Sequence, residues 1–283
     1  MNIYKHELRA NSKAWFGWTL AMILVVLFYS AFYPMIHSQA DVFKNYLGNM
    51  PQGVEQGFGF NADTFSNITS FFVFVFGFAS LLGAIQAMNL GIGILSKEER
   101  ERTADFLMTK PVSRTRIFVE KLLAALTIFV VTDIIFAGIT GPALTAIGGG
   151  HLNKKAFVLI CVSLLMMQGM FFAIGLIISV ALKKIHAVLP ISLGVVFAFY
   201  LISAFAVQGS TGGLRLITPF QYFPGSYILQ NLAKNKQHLF SYHGGPGTFF
   251  GYDPLYLIVG AALVAICFVV SYILYKKRNI HAV

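Results

Sequence analysis

The chain has 283 residues, of which 57% are hydrophobic and 11% are charged, and its mean hydropathy is +0.70. Soluble domains carry about 25% charged residues, so this composition excludes an ordinary soluble protein and indicates an integral membrane protein. The formal net charge of +10 is compatible with nucleic-acid binding, but the basic residues border long apolar segments, which is typical of the charge bias that orients membrane proteins. We therefore expect a lipid bilayer and no nucleic acid as the partner of this charge.

Six apolar segments are long enough to cross about 30 Å of hydrocarbon as helices that rise about 1.5 Å per residue. Their runs are continuous and do not alternate, which favours an all-α membrane protein over a membrane barrel. We predict a first span that ends near Pro34, three spans over about 68–95, 122–147 and 157–182, a fifth that ends near Val207, and a sixth over about 255–275.

The Lys and Arg residues predict the orientation of these spans. With the N-terminus in the cytosol, 15 of them fall on the inner side and 6 on the outer side. The positive-inside rule then predicts six transmembrane helices with both termini cytosolic, as one domain over residues 1–283. The basic residues 1–15 are predicted to form an interfacial lead that lies along the membrane. In the outer loop 209–252, apolar residues predict short re-entrant helices between spans 5 and 6.

The connection between spans 2 and 3, residues 96–121, holds 12 of the 32 Lys, Arg, Asp and Glu residues in the chain. Ser96 followed by Glu99 matches a capping box, which predicts that a new helix begins there. Pro111 would end that helix, and Ser113 is placed to cap the next one. The layout predicts a long helix, a charged amphipathic helix, a proline break and a second long helix. Such an ordered segment suits contact with a partner protein, and the alternative is a solvated face that only sets the topology.

Three polar side chains fall deep inside predicted spans. Asp133 lies twelve residues past Lys121, about 18 Å along a helix, and Gln86 and Gln168 fall at comparable depths in spans 2 and 4. A carboxylate in lipid must face protein or a wet cavity. Asp133 is therefore either part of a substrate path or proton sensor, together with the two amides, or a structural residue whose carboxylate a neighbouring amide satisfies.

Small residues recur every fourth position in the second span, which lets another helix approach closely. Packing within the chain and a dimer seam are both compatible with this helix-packing stripe, which consists of Ala79, Gly83, Ala87 and Gly91.

Motifs of known enzymes are absent from the sequence. His6-Glu7 begins like H-E-x-x-H, but Ala10 stands where the second histidine would be. The chain contains neither a nucleophile elbow nor a P-loop. Cys161 and Cys267 both lie in apolar runs and match neither a disulfide framework nor a metal motif. We expect no catalytic residue, no metal site and no cofactor bound by this chain.

The segment GILSKEERERTADFLMTKPVSRTRIFVEKLLA, residues 93–124, resembles the signature of type-2 ABC exporter permeases. The opening MNIYKHELRA and the later TPFQYF, residues 218–223, are also similar to that family. The resemblance implies a six-span permease in a prokaryotic cell membrane that works as a dimer, with itself or with a sister permease. It also implies separate cytosolic ATPase subunits that bind ATP and Mg.

By the same resemblance, residues 96–110 correspond to the coupling helix that contacts the ATPase. The implied contact residues are Glu98, Glu99, Arg102, Thr103, Phe106 and Leu107. Two rival functions remain open: an ion- or proton-coupled secondary transporter that uses Asp133, and a non-transporting immunity or assembly protein. The transported substrate stays open between peptide antibiotics, lipids, drugs and ions.

Overall fold

The computed structural model describes residues 3–39, 42, 64–100, 113–182, 185, 187–208, 212–234 and 251–277. These residues form helices and turns, as the sequence predicts. In chain order the elements are α1 (Ile3–Ala31), α2 (Tyr33–Ser38), α3 (Ile68–Arg100), α4 (Arg114–Ile147), α5 (Lys154–Ala181), α6 (Val188–Gln208), α7 (Gly212–Ile217), a 3-10 turn (Pro219–Gln221), α8 (Gly225–Lys234) and α9 (Pro254–Lys277).

Five helical segments in the described part of the chain are long and apolar enough to cross a membrane: α1 together with α2, then α3, α4, α5 and α9. They match five of the six predicted spans. The sixth, α6, is a shorter apolar helix. Its 21 residues correspond to about 31 Å at 1.5 Å per residue, close to the thickness of the hydrocarbon layer. A sixth membrane crossing therefore remains a prediction.

Helix α3 is the centre of the bundle, because it packs against α1, α4, α5, α6 and α8. Its closest neighbour is α5. A Cβ added at Gly91 would lie 2.4 Å from the Phe172 carbonyl oxygen, and one added at Gly175 would lie 2.9 Å from the Met88 carbonyl oxygen. The two backbones are thus nearly in contact, which is possible only where both helices carry glycine.

Four helix ends meet at one face of the bundle, which we call the basic face: the start of α1, the end of α3, the start of α4 and the end of α9. The Tyr4 amide donates to Glu120 Oε2 at 3.2 Å, and Arg114 Nη1 donates to the Lys276 carbonyl at 3.2 Å. At the opposite face, the Asn153 amide donates to Thr69 Oγ1 at 3.0 Å, which joins the starts of α3 and α5. Consecutive long helices therefore alternate in direction between the two faces, so α1 runs parallel to α4 and α3 runs parallel to α5.

Two predicted boundaries differ from the structure. Ser96 does not cap a new helix: it lies inside α3, which continues to Arg100, and its hydroxyl donates to the Ile92 carbonyl at 2.7 Å. The capping-box pattern was misleading because a buried serine within a helix can bond back to the preceding turn. Residues 3–15 do not form a lead separate from the first span. They belong to α1, whose first turns bury Ile3 and Glu7.

The connection between α6 and α9 contains the short helices that its apolar residues predict, namely α7, the 3-10 turn and α8. Thr218 Oγ1 donates to the Phe199 carbonyl at 3.0 Å, and Gln221 Nε2 donates to the Ser203 carbonyl at 3.1 Å. These bonds fasten the connection to the end of α6. Residues 235–250 lie outside the described part of the chain, and re-entry into the membrane stays a prediction.

Candidate functional site

A polar cleft of about 290 Å³ lies between α1 and α3 near the basic face. Two tryptophans at i and i+3, Trp15 and Trp18, form much of its α1 wall. The polar side chains that line it are Glu7, Asn11, Gln86, Asn89 and Lys97. Since most of this stretch of α1 and α3 is otherwise apolar, the cleft is a place where a polar or amphipathic molecule can be accommodated inside the bundle.

Hydrogen-bonded side chains from four helices close the deep end of the cleft. Thr132 Oγ1 of α4 accepts from Trp15 Nε1 at 2.7 Å and lies 3.3 Å from Thr19 Oγ1. Gln86 Nε2 donates to the same oxygen in a long 3.5 Å contact, and Gln168 Nε2 donates to Gln86 Oε1 at 3.4 Å. The structure thus brings together the two buried amides that the sequence places at similar depth. Gln86 lines the cleft, and Gln168 lies behind it on α5.

Asp133 is not part of this network. Both of its carboxylate oxygens are buried, and neither has a hydrogen-bond partner among the described residues. Asp133 is close enough to Cys161 of α5 to interact with it electrostatically. No amide among the described residues hydrogen-bonds this carboxylate, and whether its role is structural or functional stays a prediction. A carboxyl group in such surroundings is strongly disfavoured in its charged form.

A buried ion pair joins α1 to α4 at the basic face. Lys121 Nζ lies 3.2 Å from Glu7 Oε1, and the two side chains are 1% and 4% exposed. Lys121 Nζ also donates to the Ile94 carbonyl of α3, and Asn11 Nδ2 donates to Glu7 Oε2 at 3.3 Å. Three helices are therefore connected at one charged centre, directly beside the two ends of the 96–121 connection.

Neither member of this pair is singled out by sequence motifs. The sequence nevertheless marks both residues. Glu7 is the only acidic residue in the basic lead, and Lys121 stands at the start of an apolar run. Glu7 is therefore unusual for its segment, and a buried charge requires a partner. The identity of the partner, 114 residues away, is visible only in the fold.

The charged connection is described only at its two ends. Glu98 and Glu99 belong to the last turn of α3. Arg102, Thr103, Phe106 and Leu107 lie outside the described residues. At the other end, Ser113 caps α4 as predicted, with its side chain accepting from the Arg116 amide at 3.3 Å.

The small-residue stripe of α3 packs inside the chain. A Cβ added at Gly83 would lie 2.8 Å from Leu164 Cδ1 of α5, and Gly91 contacts α5 still more closely. All four members, Ala79, Gly83, Ala87 and Gly91, are buried. The stripe is therefore occupied by α5, and it is not a free seam for a second copy of the chain.

The architecture defines a multi-pass helical membrane protein with a polar cleft inside its bundle and a charged connection at one face. A sequence model of the ABC-2 family transporter proteins matches residues 1–280. The chain belongs to this family, and it is a membrane permease of an ABC transporter. Family membership implies partnership with an ABC ATPase subunit. No curated protein matches the chain significantly.

Proposed function

We propose that this chain is the permease subunit of an ATP-driven exporter in a prokaryotic cell membrane. Two permeases, identical or related, act with cytosolic ATPase subunits, which bind ATP and Mg and carry out the hydrolysis. The chain itself is no enzyme in this proposal. The observation that carries it is the position of the charged connection, which continues the central helix α3 and leads into α4 beside the Glu7–Lys121 pair.

ATP can drive transport only if nucleotide binding favours one permease arrangement over another, which requires an element that contacts both subunits. The end of α3 and the capped start of α4 are suited to this role. A displacement at Arg100 would act on α3, whose backbone lies against α5 at Gly91. The buried ion pair would carry the same displacement to α1. We propose residues 96–121 as the ATPase-coupling segment, with Glu98, Glu99, Arg102, Thr103, Phe106 and Leu107 as its contacts.

The direction of transport is inferred from the cleft and the charges. The basic face carries the Lys and Arg residues at the start of α1, the end of α3, the start of α4 and the end of α9. The positive-inside rule places this face, and both termini, in the cytosol. Val188, the first residue of α6, lines the cleft, so α6 starts at the same side and supplies the sixth span. A cleft near the cytosolic face suits cargo that enters from the cytosol and is exported.

Phe106→Asp tests the coupling segment. An aspartate at an apolar contact must be desolvated without a partner, so we expect loss of the co-purified ATPase and of ATP-dependent transport, with normal membrane insertion. Ile217→Asp is the matched control, because Ile217 is 54% exposed in the connection on the opposite side. Co-purification in mild detergent with mass spectrometry measures the outcome. Unchanged ATPase recovery from the Phe106→Asp variant would remove the coupling assignment.

Asp133→Asn tests whether this buried carboxyl belongs to the cargo path or senses protons. Because Asp133 has no hydrogen-bond partner among the described residues, we expect the amide variant to fold at wild-type yield and to lose most of its transport. Asp253→Asn is the control: this acid caps the start of α9 through Oδ1 at 3.0 Å from the Leu255 amide, which an asparagine can also do. Normal transport by the Asp133→Asn variant would exclude a functional role.

A further inference from the structure

An apolar groove of about 740 Å³ lies between α4 and α5 on the side of the bundle remote from the basic face. It is concave because α4 presents Gly141, Pro142 and Ala146 where larger side chains would fill it. Phe157 of α5 forms the floor, at 6% exposure, with its ring against Gly141. The hydroxyl of Thr145 donates to the Gly141 carbonyl at 2.8 Å, so it adds little polarity to the wall.

The groove has the length of one membrane leaflet. Its lining on α4 extends from Ala137 to Ala146, which are nine residue steps apart and therefore about 14 Å apart at 1.5 Å per residue. Half of a hydrocarbon layer of about 30 Å is about 15 Å. The inner end of the groove lies one helical turn from Asp133, near the middle of the predicted span. Its outer end lies at the turn between α4 and α5, where a membrane surface is expected.

The charge at the outer end is positive. Lys154 lines the groove and is exposed at the first turn of α5, and Lys155 is exposed beside it. None of the described residues that line the groove is acidic. Val158, which lines the groove, is 55% exposed, and Ile139 of α4 is 46% exposed. In a membrane protein these surfaces face lipid, because no water is present at that depth.

We propose that this groove binds one acyl chain of an anionic phospholipid, with the lipid phosphate paired to Lys154. The apolar part matches the acyl chain in length and polarity, and the lysine stands at the level of the headgroup. A lysine ammonium can pair with a lipid phosphate through charge-assisted hydrogen bonds. The proposed lipid site requires only that the permease is embedded in a membrane. It does not depend on the direction of transport or on the coupling segment.

Native mass spectrometry of the purified full-length permease tests the site, with titrated phosphatidylglycerol and phosphatidylcholine of identical acyl chains as probes. For the wild type we expect at least about tenfold tighter binding of phosphatidylglycerol, which corresponds to the contribution of one or two lysines near a headgroup. Lys154→Glu should abolish this preference while phosphatidylcholine binding stays constant. Ala146→Trp should fill the groove and weaken the binding of both lipids about tenfold.

Leu126→Trp is the control for the filled groove. Leu126 lies on the same helix, is 53% exposed, and does not line the groove. We expect it to bind both lipids as the wild type does. Equal binding of the two lipids by the wild type would overturn the headgroup assignment, and wild-type lipid binding by the Ala146→Trp variant would overturn the groove itself. If Ala146→Trp instead disrupts self-association and leaves lipid binding intact, a second copy of the chain occupies the groove and the proposal fails.

Discussion

Lys121→Met is expected to destabilise the permease by about 3–5 kcal/mol, which is the typical cost when one partner of a buried ion pair is removed. The variant leaves the Glu7 carboxylate at 4% exposure without its ammonium partner, while Asn11 Nδ2 still donates to Oε2. The lost Lys121 bond to the Ile94 carbonyl also separates α3 from this centre. Thermal unfolding in detergent, followed by size-exclusion fluorescence, measures the loss. A second readout, the yield of the ATPase complex, should fall in parallel.

The double variant Glu7→Gln with Lys121→Met tests whether the instability of the Lys121→Met variant comes from the unpaired charge of Glu7. Replacing both charges by neutral groups of similar size is often neutral or stabilising, and a glutamine at position 7 can still accept from Asn11. We expect the double variant to regain most of the lost stability. Arg116→Met is the control, because its ion pair with Glu120 is exposed, at 67% for Arg116, and such pairs contribute little. Additive losses in the double variant would mean that the pair is not coupled.

Gly91→Ala is expected to cost about 3 kcal/mol or more, at the upper end of the range for overpacked cores. The added methyl group would lie 2.4 Å from the Phe172 carbonyl oxygen and 3.1 Å from Gly175 Cα. Both atoms belong to the backbone of α5, so no side-chain rotation relieves the contact. The helices must separate along their whole interface. We expect a large fall in folded yield and in melting temperature.

Gly77→Ala is the matched control on the same helix. A Cβ at Gly77 would meet no atom within 4 Å, and alanine favours a helix over glycine by about 0.5–1 kcal/mol. This variant should be as stable as the wild type or slightly more so. If Gly91→Ala behaves like Gly77→Ala, the close approach of α3 and α5 is not a feature of the folded protein.

The spanning segments follow from the sequence because each apolar run is itself the cause of membrane insertion. The predicted runs over 68–95, 122–147 and 255–275 lie within α3, α4 and α9, respectively, and the run over 157–182 ends one residue past the end of α5. Ser113 was also predictable as a cap, since the serine and the helix it begins are adjacent in the chain. The end of α3 at the basic face was harder to predict from the sequence. Ser96 matches a capping motif, yet burial inside α3 makes the helix continue.

Long-range pairs could not be read from the sequence in the same way. The stripe of α3 indicates that a helix packs there, but α5 is identified as that helix only by the contacts of Gly83 and Gly91. Gln86 and Gln168 were expected at one depth, and the structure shows that they contact each other while Asp133 stays apart. A hydropathy pattern gives depth along a helix and leaves the rotation of that helix about its axis undetermined.

The sequence by itself determined the class of protein: an all-helical membrane permease, recognisable from its composition, its apolar runs and the segment at 93–124. Only the tertiary structure decided which charges are buried together, which face of α3 meets α5, and where the cleft and the groove lie. The physical reason is the separation along the chain between the residues that interact. Insertion, capping and charge bias depend on neighbours in the chain, whereas the Glu7–Lys121 pair and the α3–α5 contact depend on residues that only the fold brings within a few ångströms.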